Sequence, residues 1–246
     1  MLAPVLLVQA ARLRQDAMRL PEATGRRFGS FSGHAEQLPV RLLFVGDSSA
    51  AGVGVAHQDE ALAQPCAESL HRRTQKSVQW RLLAKSGITT AEAISLLDLQ
   101  QLEPADFIIT IVGVNDVTSQ RTPHQFLADY QTLIRQLQLR TGALFGVING
   151  IPPMESFAAI PNPLRWYLGR CAGRLDAHLS AWVATQPTLR HLPLRQWSET
   201  SALAADGYHP GPKQYRQWAE RLAQCIAELL PSPPSDYAPI FHPNRR

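Results

Sequence analysis

The sequence predicts an α/β fold in which a mainly parallel sheet of five strands carries helices on both faces. Three observations lead there. Short apolar runs with the length of buried strands recur along the chain, helical patterns separate them, and glycine-bearing polar segments follow several of the runs directly. In such a sheet, functional groups gather beyond the carboxyl ends of the strands.

The first run is Pro39-Val-Arg-Leu-Leu-Phe-Val-Gly46, stopped by glycine. Comparable runs cover Val78–Ala84, Phe107–Gly113, Leu144–Asn149 and, more weakly, Leu189–Leu194. Between the third and fourth, Phe126, Tyr130, Leu133, Ile134 and Leu137 recur at spacings of four, three, one and three, which places them on one helical face. Residues 59–74, 89–100, 164–185 and 212–229 also suit helices. Residues 21–38 contain Pro21, Gly25, Gly29, Ser30, Ser32 and Gly33 and read as a linking loop. The organisation expected is an N-terminal apolar and basic segment with its linker over 1–35, a main domain over 36–230, and an extended Pro-rich tail over 231–246.

Composition bounds the function. Of the 246 residues 45% are hydrophobic and 18% charged, enough apolar material for a sizeable core. The net charge of +4 is modest and its basic residues are scattered, so nothing points to nucleic acid. Cys66, Cys171 and Cys225 form no zinc pattern and fit reduced thiols. Leu2 to Ala11 is mostly apolar, but it is too short to span a bilayer and lacks the preceding positive charge of a secretory leader. Arg12, Arg14, Arg19, Arg26 and Arg27 follow it. Such a segment suits either peripheral contact with an anionic membrane or packing against the domain. A cytoplasmic location is the expectation, and the oligomeric state is not legible.

Four segments carry chemistry. After the first run stands Gly46-Asp47-Ser48-Ser49, with Gly52 and Gly54 beyond it. A serine in a sharp turn, with a helix starting nearby, exposes its hydroxyl where backbone N–H groups converge. A phosphate-binding loop is the rival, but no Gly-Lys-Ser/Thr ending or third glycine is present, and a helix cap explains the serine equally well. After the second run, Gly87 has no side chain to block its N–H, although a turn with a Thr cap accounts for the same residues. After the third come Gly113-Val114-Asn115-Asp116, where the Asn115 amide is a candidate hydrogen-bond donor and turn chemistry is the alternative. Before the last helix lie Asp206-Gly-Tyr-His209, suited to a base and the carboxylate that orients it. Taken alone, that pair also suits a solvated loop.

The ordered set Gly46-Asp47-Ser48, Gly87, Gly113-Val-Asn115-Asp116 and Asp206-x-x-His209, spread over residues 42–210, resembles the SGNH, or GDSL-type, hydrolase family. The resemblance implies a three-layer α/β/α flavodoxin-like fold with a five-stranded parallel sheet. It also implies a serine esterase acting through an acyl-enzyme on small to medium acyl esters, with no cofactor or metal. Ser48 would be the nucleophile, His209 the base and Asp206 its orienting partner. The Ser48 and Gly87 N–H groups and the Asn115 side chain would form the oxyanion hole, with Asp47 and Asp116 stabilising loops. A thioesterase, lysophospholipase, carbohydrate O-acetylesterase or acyltransferase would share this machinery, and a non-enzymatic binding protein would share the fold. The Pro-rich stretch from Gly150 to Tyr167 offers Met154, Phe157 and Trp166 as an acyl site, or else as cover for the sheet edge.

Overall fold

The computed structural model describes residues 3–16, 18–33, 38–194 and 202–230. The expected tail over 231–246 lies outside them. Among the described residues the helices are α1 (Ala3–Asp16), α2 (Ala63–Thr74), α3 (Thr90–Asp98), α4 (Val114–Thr118), α5 (Pro123–Thr141), α6 (Leu164–Val183) and α7 (Pro212–Leu229). The strands are β1 (Phe28–Phe31), β2 (Val40–Gly46), β3 (Val78–Ala84), β4 (Phe107–Ile111), β5 (Phe145–Asn149) and β6 (Leu189–Leu192). They form one sheet in the order β1-β3-β2-β4-β5-β6.

All five expected strands are present and run parallel. The sheet gains a sixth, β1, which pairs antiparallel with β3 inside the stretch read as a loop. Its sequence Phe-Gly-Ser-Phe is too short and too glycine-rich to show a strand period. Strand pairing, not side-chain pattern, defines it.

Both faces of the sheet are covered. On β2, Leu42 and Phe44 turn to one side, where α2 and α7 supply Cys66, Leu70, Tyr215, Trp218 and Leu222. Leu43 and Val45 turn to the other, where α3, α5 and α6 supply Leu97, Phe126, Tyr130, Leu133 and Leu175. This is why β2 and β4 read as continuous apolar runs: a strand buried on both faces does not alternate. The five residues assigned to one face of α5 are all buried. A capping box between Thr122 and Gln125 and a proline at its first position set where that helix starts.

Helix α1 has no fully buried residue, yet Leu6, Ala10 and Leu13 pack against the α5–α6 side of the core. Gln9 ties it to the start of α6, its Nε2 donating to the Asn162 carbonyl at 2.7 Å and its Oε1 accepting from the Leu164 amide at 3.1 Å. None of the described helices is long and apolar enough to cross a membrane. Cys66, Cys171 and Cys225 are free thiols, and burial pushes the Cys66 and Cys225 thiols above their ordinary range.

The strand order reverses between β2 and β4, because β3 lies on one side of β2 and β4 on the other. The loops leaving these strands therefore diverge above their carboxyl ends and open a crevice there.

Candidate active site

The loop after β2 carries Ser48 into that crevice. The Asp47 amide donates to the Ile111 carbonyl at 2.9 Å, which ties the loop to the end of β4. The expected nearby helix is absent: residues 47–56 form successive turns, with Ala51 N–H on the Asp47 carbonyl at 2.9 Å and Val53 N–H on the Ser48 carbonyl at 3.0 Å, and α2 starts only at Ala63. From α7, the buried Tyr215 hydroxyl reaches the Ser49 and Val53 carbonyls at 2.9 and 2.8 Å and clamps the loop.

Opposite Ser48 stands the loop before α7. Asp206 Oδ1 accepts the backbone N–H groups of Tyr208 and His209 at 3.1 and 3.0 Å, leaving Oδ2 to meet His209 Nδ1 at 2.6 Å. His209 Nε2 lies 2.8 Å from Ser48 Oγ. Burial alone would raise the Asp206 pKa, but the hydrogen bonds from the His209 ring and the two amides hold it below the ordinary value. An ionised Asp206 requires the proton on Nδ1, which leaves the Nε2 lone pair to accept from the serine hydroxyl.

Gly54 seats this loop. A Cβ there would lie 2.2 Å from the Pro210 carbonyl oxygen, and its φ of +109° disfavours any side chain. Gly54→Ala is expected to cost about 2–4 kcal/mol and lower Tm by about 5–10 °C, measured by thermal unfolding. Because Pro210 follows His209, catalysis should fall with it.

The remaining loops meet the same crevice. Gly87 has φ +82° and open space around its Cβ position. Among the described residues no acceptor faces the N–H of Gly87 or of Ser48. Glu22, in the linker, braces the Gly87 loop by accepting from the Ser86 amide at 2.7 Å while pairing with Arg27 at 2.5 Å. Asn115 and Asp116 sit in α4, a short helix rather than the turn that was the alternative for these residues. Asn115 Nδ2 donates to the Ile88 carbonyl at 2.9 Å and makes a long contact of 3.4 Å to Asp47 Oδ2. Asp116 Oδ2 accepts from the Thr90 amide and hydroxyl, both at 2.9 Å. The three loops are thereby cross-tied.

Burial, opposed by the Ser49 N–H and nearby His209, pushes Asp47 up to about 7. In the unfolded chain a carboxyl ionises near 4, so as pH rises from about 4 to 7 the unfolded state loses this proton first and the fold loses stability. Asp206 has the opposite sign: its depressed pKa contributes stability above the ordinary carboxylate range, lost as pH falls through the folded value. Asp47→Asn is therefore expected to flatten the decline of Tm between about pH 4 and 7, measured against the wild type.

A cavity of about 70 Å³ adjoins Ser48 and His209, walled by Ile111, Phe157, Leu194, Leu203, Tyr208 and Trp218. Of the three residues offered for an acyl site, Phe157 is on its wall. Met154 is not: its 3-10 turn, Met154–Ser156, directs it into the core on the α6 side. Trp166 is not either, as it lies 57% exposed on α6, away from this cavity. Leu203, Tyr208 and Trp218 were missed because no local sequence pattern shows which apolar side chains turn toward the cavity. A larger hollow of about 1020 Å³ lies at the β1–β3 edge and contains none of Ser48, Gly87, Asn115, Asp206 or His209. Among the described residues, no group of three or more His, Cys, Asp or Glu side chains is arranged to hold a metal ion.

Residues 44–217 match the model of the GDSL-like lipase/acylhydrolase family. A GDSL-like esterase of Mycobacterium tuberculosis is 29% identical over 202 residues, which cover 78% of this chain and 63% of that protein. The chain thus spans just under two thirds of that relative's length. Among solved structures, the lipase Lip_vut3 from a goat rumen metagenome matches with a TM-score of 0.60 and 18% identity, over 76% of this chain and 97% of that one. A member of the lipolytic G-D-S-L family from Veillonella parvula matches with a TM-score of 0.60 and 15% identity, over 78% and 100% of the two chains. These structural likenesses extend to the α/β/α fold.

Proposed function

The chain belongs to the GDSL-like lipase/acylhydrolase family, and from that premise we propose that it is a carboxylic ester hydrolase working through an acyl-enzyme on Ser48. The observation that carries this reading is the continuous chain from Asp206 through His209 to Ser48, with links of 2.6 and 2.8 Å. As Ser48 Oγ attacks the ester carbonyl, its proton passes to His209 Nε2. Asp206 holds the imidazole in the accepting tautomer and stabilises the imidazolium. The tetrahedral intermediate collapses with transfer of that proton to the leaving alkoxide. Water, deprotonated by the same nitrogen, then releases the acid and restores Ser48.

The carbonyl oxygen becomes anionic in both steps. The Ser48 and Gly87 N–H groups, without protein acceptors among the described residues, support an assignment as its donors. Asn115 is the third: one of its N–H bonds goes to Ile88, and the other has only the long 3.4 Å contact to Asp47 to give up. The small cavity favours a short acyl chain over a long one. The unit carrying this chemistry is taken as residues 36–230.

The reading is tested with short p-nitrophenyl esters, which the purified chain is expected to hydrolyse with saturation kinetics. Asn115→Ala should lower kcat by about 100–1000-fold, the usual worth of one such donor, with a smaller effect on KM. An unchanged kcat would remove Asn115 from the oxyanion hole.

A further inference from the structure

Helix α1 carries two apolar stripes. Leu6, Ala10 and Leu13, spaced by four and three, pack against the α5–α6 side of the core. Pro4, Leu7, Val8 and Ala11 repeat at i, i+3, i+4 and i+7 on another side of the helix, and all four are exposed. Leu7 is 71% exposed and Val8 51%, with Val5 beside them at 46%. Arg12 and Arg14 flank this outer stripe towards the end of the helix, and Arg19 lies beyond it. All three are exposed, and among the described residues none of them is in an ion pair. Asp16 is the one acidic residue of α1.

The outer stripe is presented by a helix that is already docked, since Gln9 ties α1 to Asn162 and Leu164. Two residues beyond Leu164, Trp166 is exposed as well, and Arg170 is exposed one turn further on. An apolar stripe edged by unpaired arginines fits a partner that is anionic at its surface and apolar beneath. A second copy of the chain does not fit, because a two-fold contact on the stripe sets Arg12 and Arg14 against their own counterparts. Nucleic acid offers anions but no apolar layer. A bilayer with anionic headgroups offers both. We propose that α1 docks on such a bilayer, with Pro4, Leu7, Val8 and Ala11 at the boundary between headgroups and acyl chains. The guanidinium groups of Arg12, Arg14 and Arg19 then meet the headgroups, while the arginine stems lie along the apolar layer. Packing and membrane contact thereby fall to two faces of one helix. The inference is independent of the ester-hydrolase reading.

Co-sedimentation of the whole chain with vesicles tests it. Vesicles of phosphatidylcholine alone are compared, at low salt, with vesicles of equal parts phosphatidylcholine and phosphatidylglycerol. The wild type is expected to partition onto the anionic vesicles at least about tenfold more strongly, and added salt should weaken that binding. Leu7→Gln/Val8→Gln and Arg12→Gln/Arg14→Gln, which keep helix propensity at exposed positions, should each lower the partitioning by about tenfold or more while Tm stays near the wild-type value. No binding to the anionic vesicles, equal binding to both kinds, or binding unchanged in either variant would overturn the inference. A dimer seen by light scattering that dissociates in Leu7→Gln/Val8→Gln would also overturn it, by giving the stripe to a second copy.

Discussion

Ser48→Ala is expected to lower kcat/KM for an activated ester by at least about 10⁴-fold, with the fold intact by circular dichroism. The serine contributes little to packing, since its hydroxyl faces His209 Nε2 at 2.8 Å and its loop is held by other groups: the Asp47 amide on Ile111, and Tyr215 on Ser49 and Val53. Removing the hydroxyl therefore deletes the nucleophile without releasing the turn. The donors assigned to the oxyanion hole remain, so a small residual rate above that in water should survive. His209→Ala should fall to a similar level. The double variant Ser48→Ala/His209→Ala should fall little further, because a base with no nucleophile to activate has no task. Steady-state kinetics on the three proteins checks this, and additive losses would mean that the two residues do not act as a unit.

Asp206→Asn is expected to cost about 10³–10⁴-fold in kcat while the loop keeps its shape. The two oxygens of Asp206 have different partners. Oδ1 accepts two backbone amides and fixes the turn, whereas Oδ2 faces His209 Nδ1. An asparagine that keeps its oxygen on the amides presents NH₂ to Nδ1. The ring must then move its proton to Nε2, where it points at Ser48 and can no longer accept. Asp206→Ala removes both sets of bonds and should lower Tm as well as kcat. The contrast between the two variants separates orientation of the ring from support of the loop.

The parts of this arrangement legible in the sequence are those encoded over short distances. Strands β2 and β4 stand out because a strand buried on both faces is a continuous apolar run, and α5 because its five core residues keep a strict helical spacing. Asp206 and His209 are three residues apart in one loop, so their juxtaposition needs no long-range knowledge. That Ser48 faces them across 161 positions follows from sheet order, which the alternation of strands and helices anticipates. What escaped depends on side-chain direction and strand pairing. Phe28–Phe31 becomes a strand only because β3 offers it an edge. Met154 and Phe157 are three residues apart in one Pro-rich connection and both join the core on the α6 side, yet only Phe157 also lines the cavity. Nothing local distinguishes them.

The central claim, that Ser48 is the nucleophile His209 activates, is tested most directly by covalent capture. Treated with a fluorophosphonate and analysed by intact mass and peptide mapping, the wild type is expected to gain one phosphonyl group. That group should lie on the peptide containing Ser48, with labelling absent in Ser48→Ala and strongly slowed in His209→Ala. Stoichiometric labelling of Ser48→Ala, or modification of another residue in the wild type with Ser48 left free, would contradict the account.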